Sequence, residues 1–151
     1  MVTTALMAFL HHLMAFMLTA CLVYEFIAYR RNMSLEEVRR IQRVDLVYGI
    51  SAGLLLVIGF LRVFFFEKGP NFYFNNPFFW VKMISFLIVA LLSIDPTLRY
   101  IRWNRTVRQN QLPEISEAEH RRTRVLLALQ MIGLVVILLA APLMARGIGM
   151  N

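Results

Sequence analysis

Two adjacent histidines, His11 and His12, stand within the apolar run Thr4–Ala28. An ionisable side chain at bilayer depth is costly enough to mark a functional site by default. Neighbours on a helix point about 100° apart, so the two imidazoles cannot share a role. The stripe through His11 carries Met7, Met14, Leu18, Cys21 or Leu22, and Glu25. The stripe through His12 carries Ala5, Ala8, Ala15, Phe16 and Thr19, small enough to press against another helix. With a helical rise of about 1.5 Å per residue, His11 lies roughly 12 Å below the outer surface, Lys82 roughly 8 Å and Arg62 roughly 6 Å. Three basic groups from three spans are thus expected in the outer half of one membrane. Arg62 has Glu67 near enough to pair with, and snorkelling would account for it. Lys82 sits where positive charge is scarce, and snorkelling explains it less well.

Such a set suits two cofactor chemistries. Haem b is held non-covalently by histidine, since no C-x-x-C-H attachment sequence is present. His11 would ligate iron, with Lys82, a methionine or an open sixth position opposite, and His12 could contribute only from a second subunit. Arg62 and Lys82 suit the propionates, and aromatic residues at the outer end, Trp80 among them, would flank a macrocycle. Copper(I) is the alternative: Met7, His11 and Met14 lie on one face of the first span, and soft thioethers with imidazole suit that ion. A ligand-free structural or assembly protein is the third reading. A second polar set, Glu25, Asp45 and Asp95, with Gln130 nearby, falls at the cytoplasmic end, where ion pairing with Arg30, Arg43 and Arg99 or a proton or cation exit are the two readings.

The elements that position these groups are four apolar runs, Thr4–Ala28, Val44–Phe66, Pro77–Ile94 and Val125–Ala145. Spanning hydrocarbon takes about 20 residues of helix, so the chain reads as an all-α integral membrane four-helix bundle, a single transmembrane domain over residues 1–151. Ser34 with Glu37 and Ser116 with Glu119 are capping boxes. The first predicts a short amphipathic helix, Leu35–Arg43, leading into span two. Asn76 and Pro77 are an N-cap and N1 pair for span three. That span is expected to end near Ile94-Asp95-Pro96, with helix continuing past Arg99. Glu67–Asn76 reads as a turn rich in aromatics of an interfacial belt. The first run does not read as a removable signal peptide, because it lacks a basic leader and a small-residue cleavage site.

Of 151 residues, 59% are hydrophobic, well above the usual share for a soluble domain. The net charge of +7 resides in two segments, one holding Arg30, Arg31, Arg39, Arg40 and Arg43, the other running from Arg99 to Arg124. The remaining loop holds only Lys68. This is the positive-inside pattern, which predicts cytoplasmic arginine-rich loops, periplasmic termini and contact with anionic lipid rather than nucleic acid. Gly49, Gly53 and Gly59 suit close helix contact within the chain or in a homo-oligomer. No P-loop, G-x-S-x-G or H-E-x-x-H occurs, which removes the nucleotide and hydrolytic chemistries those motifs carry.

The chain resembles an uncharacterised family of small bacterial four-helix membrane proteins. The likeness rests on Leu10-His11-His12, Gly59-Phe60-Leu61-Arg62-Val63, Glu67-Lys68-Gly69, Asn75-Asn76-Pro77-Phe78-Phe79 and Ser93-Ile94-Asp95-Pro96-Thr97. More distantly, over spans one to three, the opening Pro77-Phe78-Phe79-Trp80-Val81-Lys82-Met83 is similar to the HemJ and CopD group. HemJ proteins are haem-associated and oxidise protoporphyrinogen IX. That resemblance implies an inner-membrane protein with His11 as haem ligand and Lys82 as the matching lysine, and its CopD side implies copper. The chain departs from HemJ in its long arginine-rich third loop and in lacking a histidine at the end of span three.

Overall fold

Four long helices carry the chain back and forth in the computed structural model, which describes residues 1–150. They are α1 (Val2–Ala28), α2 (Leu35–Leu61), α4 (Pro77–Arg102) and α6 (Glu117–Ala145); two short helices, α3 (Pro70–Phe74) and α5 (Asn104–Arg108), lie in the connections. Among the described residues there is no strand, and each long helix is apolar and long enough to cross a membrane. The outward faces carry Phe9, Phe16, Leu87, Leu91, Ile132 and Leu139, each more than half exposed. A surface of that kind needs lipid rather than water against it, and the protein is a multi-pass membrane protein.

Local chemistry sets the helix ends. Ser34 opens α2 with a reciprocal capping box, its amide donating to Glu37 Oε2 at 2.7 Å and the Glu37 amide donating to Ser34 Oγ at 3.2 Å. Ser116 and Glu119 do the same for α6. Asn76, fully buried, accepts the Phe78 amide at 2.9 Å ahead of Pro77. The amphipathic segment after Ser34 is not a separate helix: it runs unbroken into the span, because no glycine or proline intervenes before Gly49. As expected, helix continues beyond Pro96, α4 running to Arg102; proline inside a span is tolerated where neighbouring groups re-satisfy the backbone. At its far end α2 widens into a π-helical turn, Arg62–Phe66, and the chain reverses through Gly69 at φ 85°, a conformation that favours glycine.

Helix α1 packs along α2, and α4 along α6, making two antiparallel hairpins that touch each other much less. Within the second hairpin Gly133 lies directly against the Val89 side chain, letting the backbones of α4 and α6 approach. The main core sits toward the arginine-rich end, where Leu22, Tyr29, Ile41, Tyr100 and Leu127 are fully enclosed. A smaller cluster, Val63, Tyr73 and Phe79, closes the opposite end, where both termini lie. Arginines cross-link the hairpins at the first end. Arg39 donates to Asn110 Oδ1 at 2.6 Å, and Arg124 donates to the Phe26 carbonyl while its guanidinium covers the Phe26 ring at 4.6 Å. The arginine clusters thus serve packing between the hairpins.

Candidate functional site

The three basic groups expected in one leaflet meet in one pocket near the terminal end. His11 enters from α1, Gly59 and Arg62 from α2 and its π-helical extension, Lys82 and Met83 from α4, and Met144 from α6. Tyr73, Phe79 and Phe86 supply aromatic walls. The enclosed volume is about 100 Å³. Through Leu55, Phe86 and Ile137 it adjoins a second, more apolar groove of about 340 Å³ running along α2 and α4 toward Ser93 and Thr97. The loose meeting of the two hairpins leaves this space.

Within the pocket the charges are unequal. Arg62 donates from both Nε and Nη2 to Glu67 Oε1, at 3.3 and 2.6 Å, so its charge is largely answered. The π-helical turn and the reversal after it bring Glu67 back onto Arg62. Lys82 makes no ion pair among the described residues. The Nδ1 atom of His11 is buried with no hydrogen-bond partner. A buried imidazole nitrogen ordinarily finds one, so this atom demands an explanation. Its ring lies close to Gly59, where an added Cβ would stand 3.3 Å from His11 Cε1. In the loop over the pocket, burial pushes the Tyr73 phenol above its ordinary range, keeping it a neutral donor.

Other residues singled out from sequence lie elsewhere. His12 is exposed, with Nδ1 2.6 Å from the Ala8 carbonyl, a satisfied side chain on the lipid-facing surface. Its stripe divides: Phe16 is 73% exposed, whereas Ala15 and Thr19 line the apolar groove between the hairpins. Trp80 is half exposed and donates its indole N–H to the Phe74 carbonyl at 3.0 Å, locking α3 onto α4 outside the pocket. Met7 and Met14 are half-buried and do not line the pocket. Two thioethers that the sequence reading passed over, Met83 and Met144, do line it. Helical periodicity could have placed Met83, which falls on the same face of α4 as Phe79 and Phe86, but no local signal brings Met144 there from α6.

The acidic set divides. Asp95 belongs to an ion-pair network in which Arg99 and Arg122 reach it at 3.1 and 3.0 Å and Glu119 meets Arg99 at 3.0 Å. That network ties α4 to the start of α6. Asp45 accepts the Thr97 hydroxyl at 2.7 Å across the α2–α4 seam. Glu25 is 2% exposed and joins no ion pair among the described residues. Around it lie Tyr48, whose hydroxyl donates to Gln130 Oε1 at 3.2 Å, and the buried Tyr100. Just past α1, burial raises the Tyr29 phenol above its ordinary range, so it too stays neutral.

No curated protein and no solved structure matches the chain. A family model described as Predicted membrane protein (DUF2214) matches residues 3–149. That span takes in all four long helices and every residue of the pocket, and the chain belongs to the DUF2214 family of membrane proteins.

Proposed function

We propose that this is a bacterial inner-membrane protein, with termini on the periplasmic side, that binds haem b or a related porphyrin in the outer half of its bundle. The observation that carries the reading is the buried, unpartnered Nδ1 of His11 in a pocket shared with the unpaired Lys82. The donor set fits the group. Imidazole is the commonest protein ligand to haem iron, and Met83 and Met144 place thioethers in the same pocket. Lys82 offers a propionate an uncompensated cation, and Arg62, already bound to Glu67, offers less. The enclosed 100 Å³ is below the roughly 300–1,000 Å³ of ligand pockets. A macrocycle therefore needs the adjoining 340 Å³ groove as well. An iron porphyrin there would supply one-electron redox chemistry at the outer leaflet.

The test is an absorption spectrum of protein purified in mild detergent from haem-replete cells, followed by haem titration. A Soret band that is lost in His11→Ala and weakened in Lys82→Gln supports the reading. A colourless protein that takes up no haem on titration overturns it. Anaerobic loading with copper(I) addresses the alternative built on Met7, His11 and Met14, and stoichiometric copper that survives Lys82→Gln but not Met7→Leu with Met14→Leu would replace the porphyrin.

A further inference from the structure

We infer that Glu25 is a proton-binding carboxyl reached from the arginine-rich end of the bundle, a role independent of the porphyrin reading. The carboxyl lies in the last turn of α1, and its Oε1 is enclosed with no hydrogen-bond donor. The groups around it come from the neighbouring helices: Asp45 and Tyr48 from α2 and Tyr100 from α4, with Cys21 on its own helix, while Gln130 of α6 bonds Tyr48 and Arg99 of α4 lies beside Tyr100. None compensates a negative charge. Arg99 is engaged by Asp95 and Glu119, the Tyr48 hydroxyl by Gln130, and Asp45 is itself acidic. A bare carboxylate in such surroundings is strongly disfavoured, and a proton is the smallest cation that removes the charge.

A second, independent observation marks the route. Tyr29, Tyr100, Thr123 and Gln130 are each no more than 1% exposed; the Tyr29 and Thr123 hydroxyls face each other, and Tyr100 and Gln130 each have a side-chain polar atom without a partner. His120 Nδ1, at the start of α6, is also buried and unpartnered. The rings adjoin in series, His120 stacked on Tyr29 at 5.4 Å and Tyr29 tilted against Tyr100 at 6.2 Å. Buried polar groups are ordinarily satisfied, and so many orphans in one region call for internal water. Hydroxyl and imidazole groups both donate and accept, which is what a proton relay requires. The Gln130 Nε2 group only donates, so it suits water or a carboxyl oxygen and not a metal ion.

The test uses the full-length protein in detergent. An apolar carbodiimide takes the acid proton onto nitrogen, is attacked at its central carbon by the carboxylate oxygen, and rearranges to a stable acylurea with every atom retained. Mass spectrometry should find the adduct on Glu25, falling several-fold as pH is raised and unchanged by sodium, and absent from Glu25→Gln. No adduct on Glu25 of the folded wild type overturns the proposal, as does protection by sodium, which would make the site a metal-cation site. Infrared spectroscopy reads the route: the protonated carboxyl band assigned by Glu25→Gln should exchange into D₂O several-fold more slowly in Tyr29→Phe. An unchanged exchange rate removes Tyr29 from the path.

Discussion

A Cβ placed on Gly59 of α2 would stand 3.3 Å from Cε1 of His11 on α1, so the imidazole packs tightly against the glycine and a larger side chain there would press on it. The other glycines of that span differ: around Gly49 and Gly53 an added Cβ meets nothing within 4 Å. Gly59→Leu should therefore displace the imidazole, whereas Gly53→Leu extends into lipid. Overpacking costs typically about 1–3 kcal/mol, and for a chain of this size each kcal/mol moves Tm by about 2–4 °C. Thermal unfolding in detergent is expected to show Gly59→Leu melting several degrees below wild type and Gly53→Leu at or above it. Equal melting of the two would mean that the ring moves aside freely.

Arg62 and Glu67 are both about one-fifth exposed on their side chains, so removing one partner leaves a charge poorly solvated. Glu67→Gln is expected to cost about 1–3 kcal/mol. The double variant Arg62→Gln with Glu67→Gln should recover part of that, because no unpaired charge remains. A double variant less stable than either single variant would show that the pair contributes more than it costs to bury.

Much of this arrangement was legible from residue types and spacing. Four apolar runs gave four membrane-spanning helices, and Ser34, Asn76 and Ser116 cap them as their chemistry demands. Counting helical rise was enough to bring His11, Arg62 and Lys82 to one level, and the structure brings them into one pocket. Which way a side chain faces around its helix was harder to read. Trp80 adjoins the pocket in sequence but faces lipid, because its indole is held by the Phe74 carbonyl of a helix the loop's turn residues did not announce. Met144 reaches the pocket from α6, and that proximity is a property of how the two hairpins meet. The partition of the acidic set also depends on tertiary contact, since Asp95 and Glu25 look alike until Arg99 and Arg122 are seen to choose one of them.

Gly133 of α6 lies directly against Val89 of α4, where an added Cβ would collide with Val89 Cγ2. Gly133→Ala forces the valine side chain or the helices apart and should destabilise the protein. Val89→Ala makes room but leaves a cavity. Combined, the two substitutions should be less harmful than the sum of their separate effects, with a coupling of about 0.5–3 kcal/mol, as for residues in direct contact. Additive effects in denaturant unfolding would place the contact outside the tightly packed part of the hairpin.

Orientation follows from charge and is open to direct chemistry. Arg30 through Arg43 and Arg99 through Arg124 lie at one end of the bundle, and Lys68 lies alone in the connection at the other. The positive-inside bias predicts a cytoplasmic arginine-rich end, and with it a His11 pocket in the outer leaflet and access to Glu25 from the cytoplasmic side. The single native cysteine, Cys21, is buried, so a Cys21→Ser background accepts single reporter cysteines. Asn71 and Gln109 are exposed residues at opposite ends. A membrane-impermeant maleimide added to intact spheroplasts should label Asn71→Cys and leave Gln109→Cys untouched until the membrane is permeabilised. The opposite pattern would move the histidine pocket to the cytoplasmic leaflet. A porphyrin bound there would meet cytoplasmic reductants, and Glu25 would draw its proton from outside, so both functional readings depend on this labelling.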